Sequence, residues 1–518
     1  MKKYLLIFTM AISGTFFLSQ CNDLDLQPLD AISEDAFYKT AADFRGAILA
    51  SYSSMQSFNG TSTENLGECA EWWKMTLMTT DDITFDDQNL SGNGACATNA
   101  SMDNFSFTSS DKAFQSLFTH VYQGIFRANL VMDKLALEND LTAEEKALFT
   151  AEAKFLRAYF HFEAFKFWGG QSPLALETRR DVTDIALPNS TPDKMIQAII
   201  DDFTAAAADL PESWDDSNLG RATAWAAKAY IGKAHLYNKA YGPAVTSFQE
   251  VYNMGPYQLM PTHEEVFSFD FENNIESIFE MQYAANSDDN GWVLDDNHSE
   301  NFKASQGIMR AWWQDAGRGA PGGGLGINIP TAEIIAEFEA GDPRKLSTIY
   351  TDGDTYYADG VEETYDPVWS PSGATMKKYR GENVAKMNPV NFAIDYNNER
   401  LFRYADLILM YAEANAFNMG DAQLTVDLIN EVRARSCPSC TPVSTSDDLV
   451  AAIQHERRVE LAFEGHRLFD IVRWGIDGDY AAQGITFKTW GTSGIFPAIF
   501  PLPQSEIDRG GGILNQVN

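Results

Sequence analysis

The stretch ERRVELAFEGHRLFDIVRWG, from Glu456 to Gly475, limits most tightly what this chain can fold into. Read as a helix, it places Val459, Ala462, Phe463 and Phe469 on one broad face and Leu461, Leu468 and Val472 on the other. A helix that is apolar on all sides is buried between other elements. The same stretch carries Arg457, Glu460, Glu464 and Arg467 at spacings of three, four and three, which put all four in one narrow sector. An unpaired buried charge costs several kcal/mol. The expectation is therefore a central helix bearing an ion-pair network, with a catalytic use of Glu460, Glu464 and His466 as the lesser reading.

The 518 residues are 45% hydrophobic and 13% aromatic, enough for a sizeable core. A formal charge of −35 excludes a general nucleic-acid binder, which needs a basic footprint, and argues against attachment through anionic lipid headgroups. It also disfavours polyanionic ligands such as sulfated glycans. Residues 1–20 read as a signal peptide: Lys2 and Lys3 precede an apolar run from Tyr4 to Leu18, shorter than the ~20 apolar residues of a spanning helix. Leu18-Ser19-Gln20-Cys21 then reads as a lipoprotein cleavage site that leaves Cys21 as the acylated first residue, although Gln20 departs from the usual small residue. An uncleaved anchor is the alternative.

Four cysteines remain once Cys21 is assigned to lipid. In an oxidising exterior an even remainder points to disulfides, and proximity in sequence pairs Cys69 with Cys96 and Cys437 with Cys440, with free thiols as the alternative. The CPSC at Cys437 lacks a second CxxC or histidine partner for zinc, and a βαβ context for redox work.

Helical patterns dominate about 111–260 and 400–475, and the expected class is mostly α. Within ATAWAAKAYIGKAHLYNKAYGPAVTSFQEVYN and beyond, Ile231, Gly232, Ala244, Phe248 and Pro256 fall at the offsets of one tetratricopeptide repeat of roughly 34 residues. Gly232 and Ala244 would let two antiparallel helices approach while Phe248 fills the space between them. A fainter copy is Ala412, Leu424 and Leu428. Residues 59–110 and 261–398 are rich in Gly, Asn, Asp and aromatics, and read as loops with short strands such as SIFEMQY. PTAEIIAEFEAGDPRKL reads as a helix stopped by Gly341-Asp342-Pro343.

Several segments together resemble one family. ERRVELAFEGHRLFDIVRWG, RYADLILMYAEAN from Arg403, INEVRARS from Ile429 and the ending IFPLPQSEIDRGGGILNQVN are similar to the C-terminal half of the SusD/RagB family; RANLVMDKL and EAKFLRAYFHFEAFKFWGG resemble its N-terminal half. The resemblance implies a SusD-like fold, in which degenerate tetratricopeptide helix pairs form the scaffold of a single large domain spanning 21–518. It implies a surface-exposed lipoprotein of the outer membrane that captures oligosaccharide and delivers it to a SusC-like TonB-dependent transporter. Asp23 and Asp25 resemble the acidic signal that sends such lipoproteins to the outer face. Peptide capture, known for the RagB branch, and glycoside hydrolysis are the rivals.

Sugars present flat C–H faces that pack on aromatic rings, with hydroxyls around the rim. The expected ligand-binding residues are Tyr283, Trp292, Trp312 and Trp313, with Trp72 and Trp369 behind them. Asn286-x-Asp288-x-Asn290-Gly291 imitates half a calcium loop, but its twelfth position is Asn297, so no metal is assigned. No HExxH, GxSxG or GxxxxGK[ST] is present. The expectation is a binding protein without cofactor and without catalytic residues. Cys21→Ala should release the chain from outer-membrane fractions without unfolding it; a variant that still fractionates with those membranes in the absence of a transporter contradicts the lipid anchor.

Overall fold

The computed structural model describes residues 37–59, 72, 74–85, 101–103, 105–180, 186–283, 328–358, 361–378, 397–474 and 499–516. Cys21, Cys69, Cys96, Trp292, Trp312 and Trp313, and the calcium-like pattern from Asn286, lie outside them.

The first half is a run of helices: α1 (Ala41–Asn59), α2 (Lys112–Leu135), α3 (Ala143–Trp168), α4 (Pro192–Asp209), α5 (Ala224–Tyr237) and α6 (Tyr241–Met254). Each of α2 to α5 packs on the next, and α1 lies across α2 and α3. Local signals set several starts. The side chains of Thr142, Thr191 and Thr223 accept the backbone N–H of Glu145, Lys194 and Ala226, satisfying donors that a helix start leaves open. Glu145 returns the bond to Thr142, completing a capping box.

The repeat expected around Ile231 is the α5–α6 pair. A Cβ added at Gly232 would lie 2.6 Å from the Phe248 ring, so only glycine permits this approach. Ala244 and Phe248 are fully buried. The fainter copy is a second pair, α9 (Tyr404–Phe417) with α10 (Ala422–Ser436), where Ala412 and Leu428 are buried. Among the described helices, α9 is buried on all sides, every residue from Tyr404 to Asn415, and α3 is largely so from Ala151 to Trp168.

Short strands, one after α1 and the rest between these blocks, pair as antiparallel two-stranded ladders: β1 (Ile83–Phe85) with β3 (Asn328–Pro330), β2 (Ser277–Met281) with β8 (Glu399–Arg403), β4 (Ile349–Tyr350) with β7 (Thr375–Met376), and β5 (Thr355–Ala358) with β6 (Val361–Thr364). Helix α7 (Ala332–Glu337) ends before the expected stop. Gly341-Asp342-Pro343 instead starts α8 (Pro343–Thr348): Asp342 accepts the Arg344 backbone N–H at 2.9 Å, and Pro343 occupies the first helical position, where its missing N–H costs nothing.

The stretch from Glu456 is not one helix. Helix α11 (Leu449–Glu460) ends, the chain turns through Leu461–His466, and α12 (Arg467–Arg473) begins. The turn needs two left-handed residues, Phe463 at φ 65° and Gly465 at φ 75°. A Cβ on Gly465 would lie 2.3 Å from Trp72, so the indole sits directly on this backbone.

The break redirects the four charges. Arg457, Glu460 and Glu464 are buried, Arg467 is partly so, and all four are paired, but not with one another. Arg403, fully buried at the end of β8, gives Nε and Nη2 to the two oxygens of Glu464 at 2.8 Å, and Nη1 to Glu276 at 2.7 Å and Glu460 at 2.8 Å. Arg435 bridges the same Glu276 and Glu460 at 2.7 Å each. Arg344 adds Glu460 at 3.2 Å and Glu456 at 2.5 Å, and Lys378 reaches Glu464 at 2.5 Å. Separately, Arg457 pairs with Asp406 and Asp470 at 2.9 Å, and Arg467 with Asp81 at 2.7 Å.

Removing the hub leaves three buried carboxylates short of countercharge. Arg403→Met keeps much of the volume and should still lower the unfolding free energy by ~3–5 kcal/mol. Denaturant unfolding checks this, and an unchanged midpoint would show that the network contributes nothing net.

Candidate functional site

Of the four rings first expected to bind ligand, Tyr283 lies among the described residues, just past the end of β2. β2 is buried on both faces from Ile278 to Met281, and the strand delivers Gln282 and Tyr283 beyond its last paired residue. Tyr283 is half-buried; its backbone N–H donates to Asn398 Oδ1 at 2.8 Å and its hydroxyl meets Met281 Sδ at 3.0 Å. Beside it the Gln282 amide exchanges two 2.9 Å hydrogen bonds with Asn273 and accepts from Asn398 Nδ2 at 3.0 Å. Gln56 of α1 donates to the Gln282 carbonyl at 2.7 Å. Asn398 also donates to Glu280 at 3.1 Å. This carboxamide cluster fixes the backbone from which the segment beyond Tyr283 departs. Of these residues the sequence singles out Tyr283 alone; Gln56, Asn273 and Asn398 escape it, because single amides far apart in sequence carry no spacing signal.

The other expected rings separate. Trp72 is a core residue, 6% exposed, with its indole N–H donating to Glu163 at 3.2 Å; it supports the turn at Gly465 and presents no open face to a ligand. Trp369 is half-buried on the short turn Pro367–Trp369, edge-on to Tyr365 at 5.7 Å, and Tyr365 in turn stacks on Tyr350 at 5.9 Å. Trp369 therefore belongs to a second aromatic group, on a different ladder from Tyr283.

Cys437 and Cys440 form a disulfide with Cα atoms 5.3 Å apart. Asp342 lies near their sulfurs, yet its carboxylate is committed to Arg344 at 2.8–3.1 Å, and bonded sulfurs are poor metal ligands.

Electrostatics assigns the glutamates at Glu460 and Glu464 to the scaffold. Burial alone would raise their pKa; the guanidiniums of Arg435 and Arg403 outweigh it at Glu460 and hold its carboxyl well below the usual range. Arg403 and Lys378 likewise hold Glu464 at about 2. Burial, with Lys233 close by, pushes His466 down to about 4 against the pull of Asp406, 3.9 Å from its Nε2. Carboxylates locked to guanidiniums beside a neutral, buried imidazole fit an ion-paired core.

With this geometry in hand, comparisons with known proteins converge. A model described as the SusD family matches residues 275–518, and one described as starch-binding, associating with the outer membrane, matches residues 51–236. The chain is 25% identical to SusD-like protein P2 of Formosa agariphila over 99% of both chains. It is 25% identical to a SusD-like protein of Bacteroides ovatus over 71% of this chain and 67% of that one. Among solved structures, a laminarin binding SusD-like protein matches with TM-score 0.71 and 25% identity, covering 92% of this chain and 99% of the other. Surface glycan-binding protein A from Bacteroides thetaiotaomicron, in complex with laminarihexaose, matches in fold with TM-score 0.72 at 21% identity, over 92% and 99%.

The buried histidines give the core a defined response to acid. His161 is held neutral between Arg157 O, 3.0 Å from Nδ1, and the Ala175 N–H, which donates to Nε2 at 3.2 Å. Burial, with the Arg157 charge, pushes it down to about 3 from the ordinary 6.5. The unfolded chain binds these protons first, so the stability contributed by His161 and His466 is complete above pH 6.5 and declines as pH falls toward their folded values. Glu464, at about 2 against 4.5, adds a further loss below pH 4.5. The melting temperature should therefore fall steadily from pH 6.5 to pH 4; equal melting at the two ends would contradict the neutral, buried assignment.

Proposed function

We propose that this chain, a SusD-like protein by its matches to the family model over residues 275–518 and to relatives along nearly its whole length, captures an oligosaccharide at the outer face of the outer membrane and passes it intact to a SusC-like TonB-dependent channel. The observation that carries this reading is the likeness to a laminarin binding SusD-like protein along nearly the whole chain. The outer-membrane association in the description of the second family model supports the location. So does Cys21 behind a short apolar leader, where acylation would tether the mature chain. Tethering beside a channel raises the effective concentration, so individually weak sugar contacts suffice for uptake.

The ligand is held by rings carried between β2 and β3: Tyr283 at the fixed root, and Trp292, Trp312 and Trp313 beyond it. Trp369 is a secondary candidate. Trp72 takes no part, because it is occupied in the core. The chemistry required is stacking on ring faces with hydroxyls bonded by amides and charged groups, and Asn273, Gln282 and Asn398 place amides next to Tyr283. No proton transfer is required, and the glycan leaves unaltered.

Affinity electrophoresis against plant, algal and fungal polysaccharides identifies the ligand, and product analysis tests whether it stays intact. With that ligand, alanine at Tyr283, Trp292, Trp312 or Trp313 should each cost roughly 1–3 kcal/mol of binding while melting is unchanged. Normal binding by all four variants would place the site elsewhere. Shortened glycan products would make the protein a hydrolase, and binding of peptides alone would overturn the carbohydrate reading.

A further inference from the structure

A cavity lies away from the Tyr283 region, on the α2 face of the scaffold. Its volume is about 250 Å³, and its floor is aromatic, with Phe118, Tyr122 and Phe126 following one another at four-residue steps along α2. Phe118 and Tyr122 stack on each other at 4.2 Å, and the Tyr122 hydroxyl donates to the Pro173 carbonyl at 2.5 Å, so this floor is fixed. Phe126, 37% exposed, is the ring at the mouth.

Two ion pairs line the same cavity. Glu177 and Arg179, 3.2 Å apart, come from the segment after α3, and Glu506 and Arg509, 2.8 Å apart, from the C-terminal helix α13 (Gln504–Arg509). Arg509 spends Nη1 on both Glu506 oxygens, and its side chain is 63% exposed, leaving guanidinium donors facing water. None of these residues belongs to the cluster around Tyr283.

We propose that this cavity is a second carbohydrate subsite, which holds one pyranose ring against Phe126 with its hydroxyls bonded by Arg509 and its charged neighbours. Size decides for a single ring, because cavities that enclose drug-sized ligands run to ~300–1,000 Å³. Chemistry decides for a sugar: a purely apolar guest would cover the charged rim without replacing its water, at a cost, whereas a pyranose offers C–H faces to the floor and hydroxyls to the rim. The inference rests on the reading that this chain binds carbohydrate, and it adds a site built from residues of the helical scaffold.

Saturation-transfer NMR of the mature chain with the methyl glycosides of glucose, galactose, mannose and xylose tests it. At least one should bind saturably, and Phe126→Ala and Arg509→Ala should each weaken it by about tenfold or more with melting unchanged. If none of the four binds saturably, or if both variants bind as the parent does, the subsite is refuted. Polysaccharide retention by the Phe126→Ala, Arg509→Ala double variant, lost on adding Tyr283→Ala, reports on the rings around Tyr283, so the two readings fail separately.

Discussion

The Arg403 guanidinium donates to three carboxylates that reach it from different parts of the chain: Glu276 ahead of β2, Glu460 at the end of α11 and Glu464 in the turn that follows. All four side chains are fully withdrawn from water. Moving any one of these segments would separate charges in a medium that screens them poorly, which is why the pairs act as cross-links although their net stabilisation is modest. Arg435, Arg344 and Lys378 extend the hub to α10, α8 and the segment just past β7. The loop-bearing middle of the chain is thereby bound to the helical C-terminal block by charge as well as by apolar contact.

That cross-link bears on the proposed function through β2. Glu276 precedes the strand, and Gln282 and Tyr283 follow it, with β8 and Arg403 on the paired edge. The strand is anchored at one end by the charge hub and at the other by the carboxamides of Asn273, Gln282 and Asn398. A ring presented from such a root has little conformational freedom left to lose on binding, and weak stacking contacts gain by that.

Much of the fold was legible because its signals are local. The offset of Gly232 from Phe248 and the short strand SIFEM each act within a few dozen residues. Helix α1 went unread, since its serines and glycine dilute the apolar stripe, and so did the buried turn Lys74–Met78 inside a loop-rich stretch. The charged segment was half legible. Its sequence says that the charges are buried and paired, but Gly465 breaks the helix, and the partners at Glu276, Arg344, Lys378 and Arg403 are set by tertiary packing that no spacing rule encodes. Trp72 was misplaced for a similar reason: an aromatic pair in a loop-rich region reads the same whether its ring is exposed or seated on the Gly465 backbone.

Hydrogen–deuterium exchange with and without the retained polysaccharide tests most directly whether a fixed scaffold presents the ligand-binding segment. The account predicts slow exchange in α3, α9 and α11 under both conditions, and new protection on ligand addition concentrated between Gln282 and Asn328. Protection spread through the helical core, or none between those residues, would contradict it.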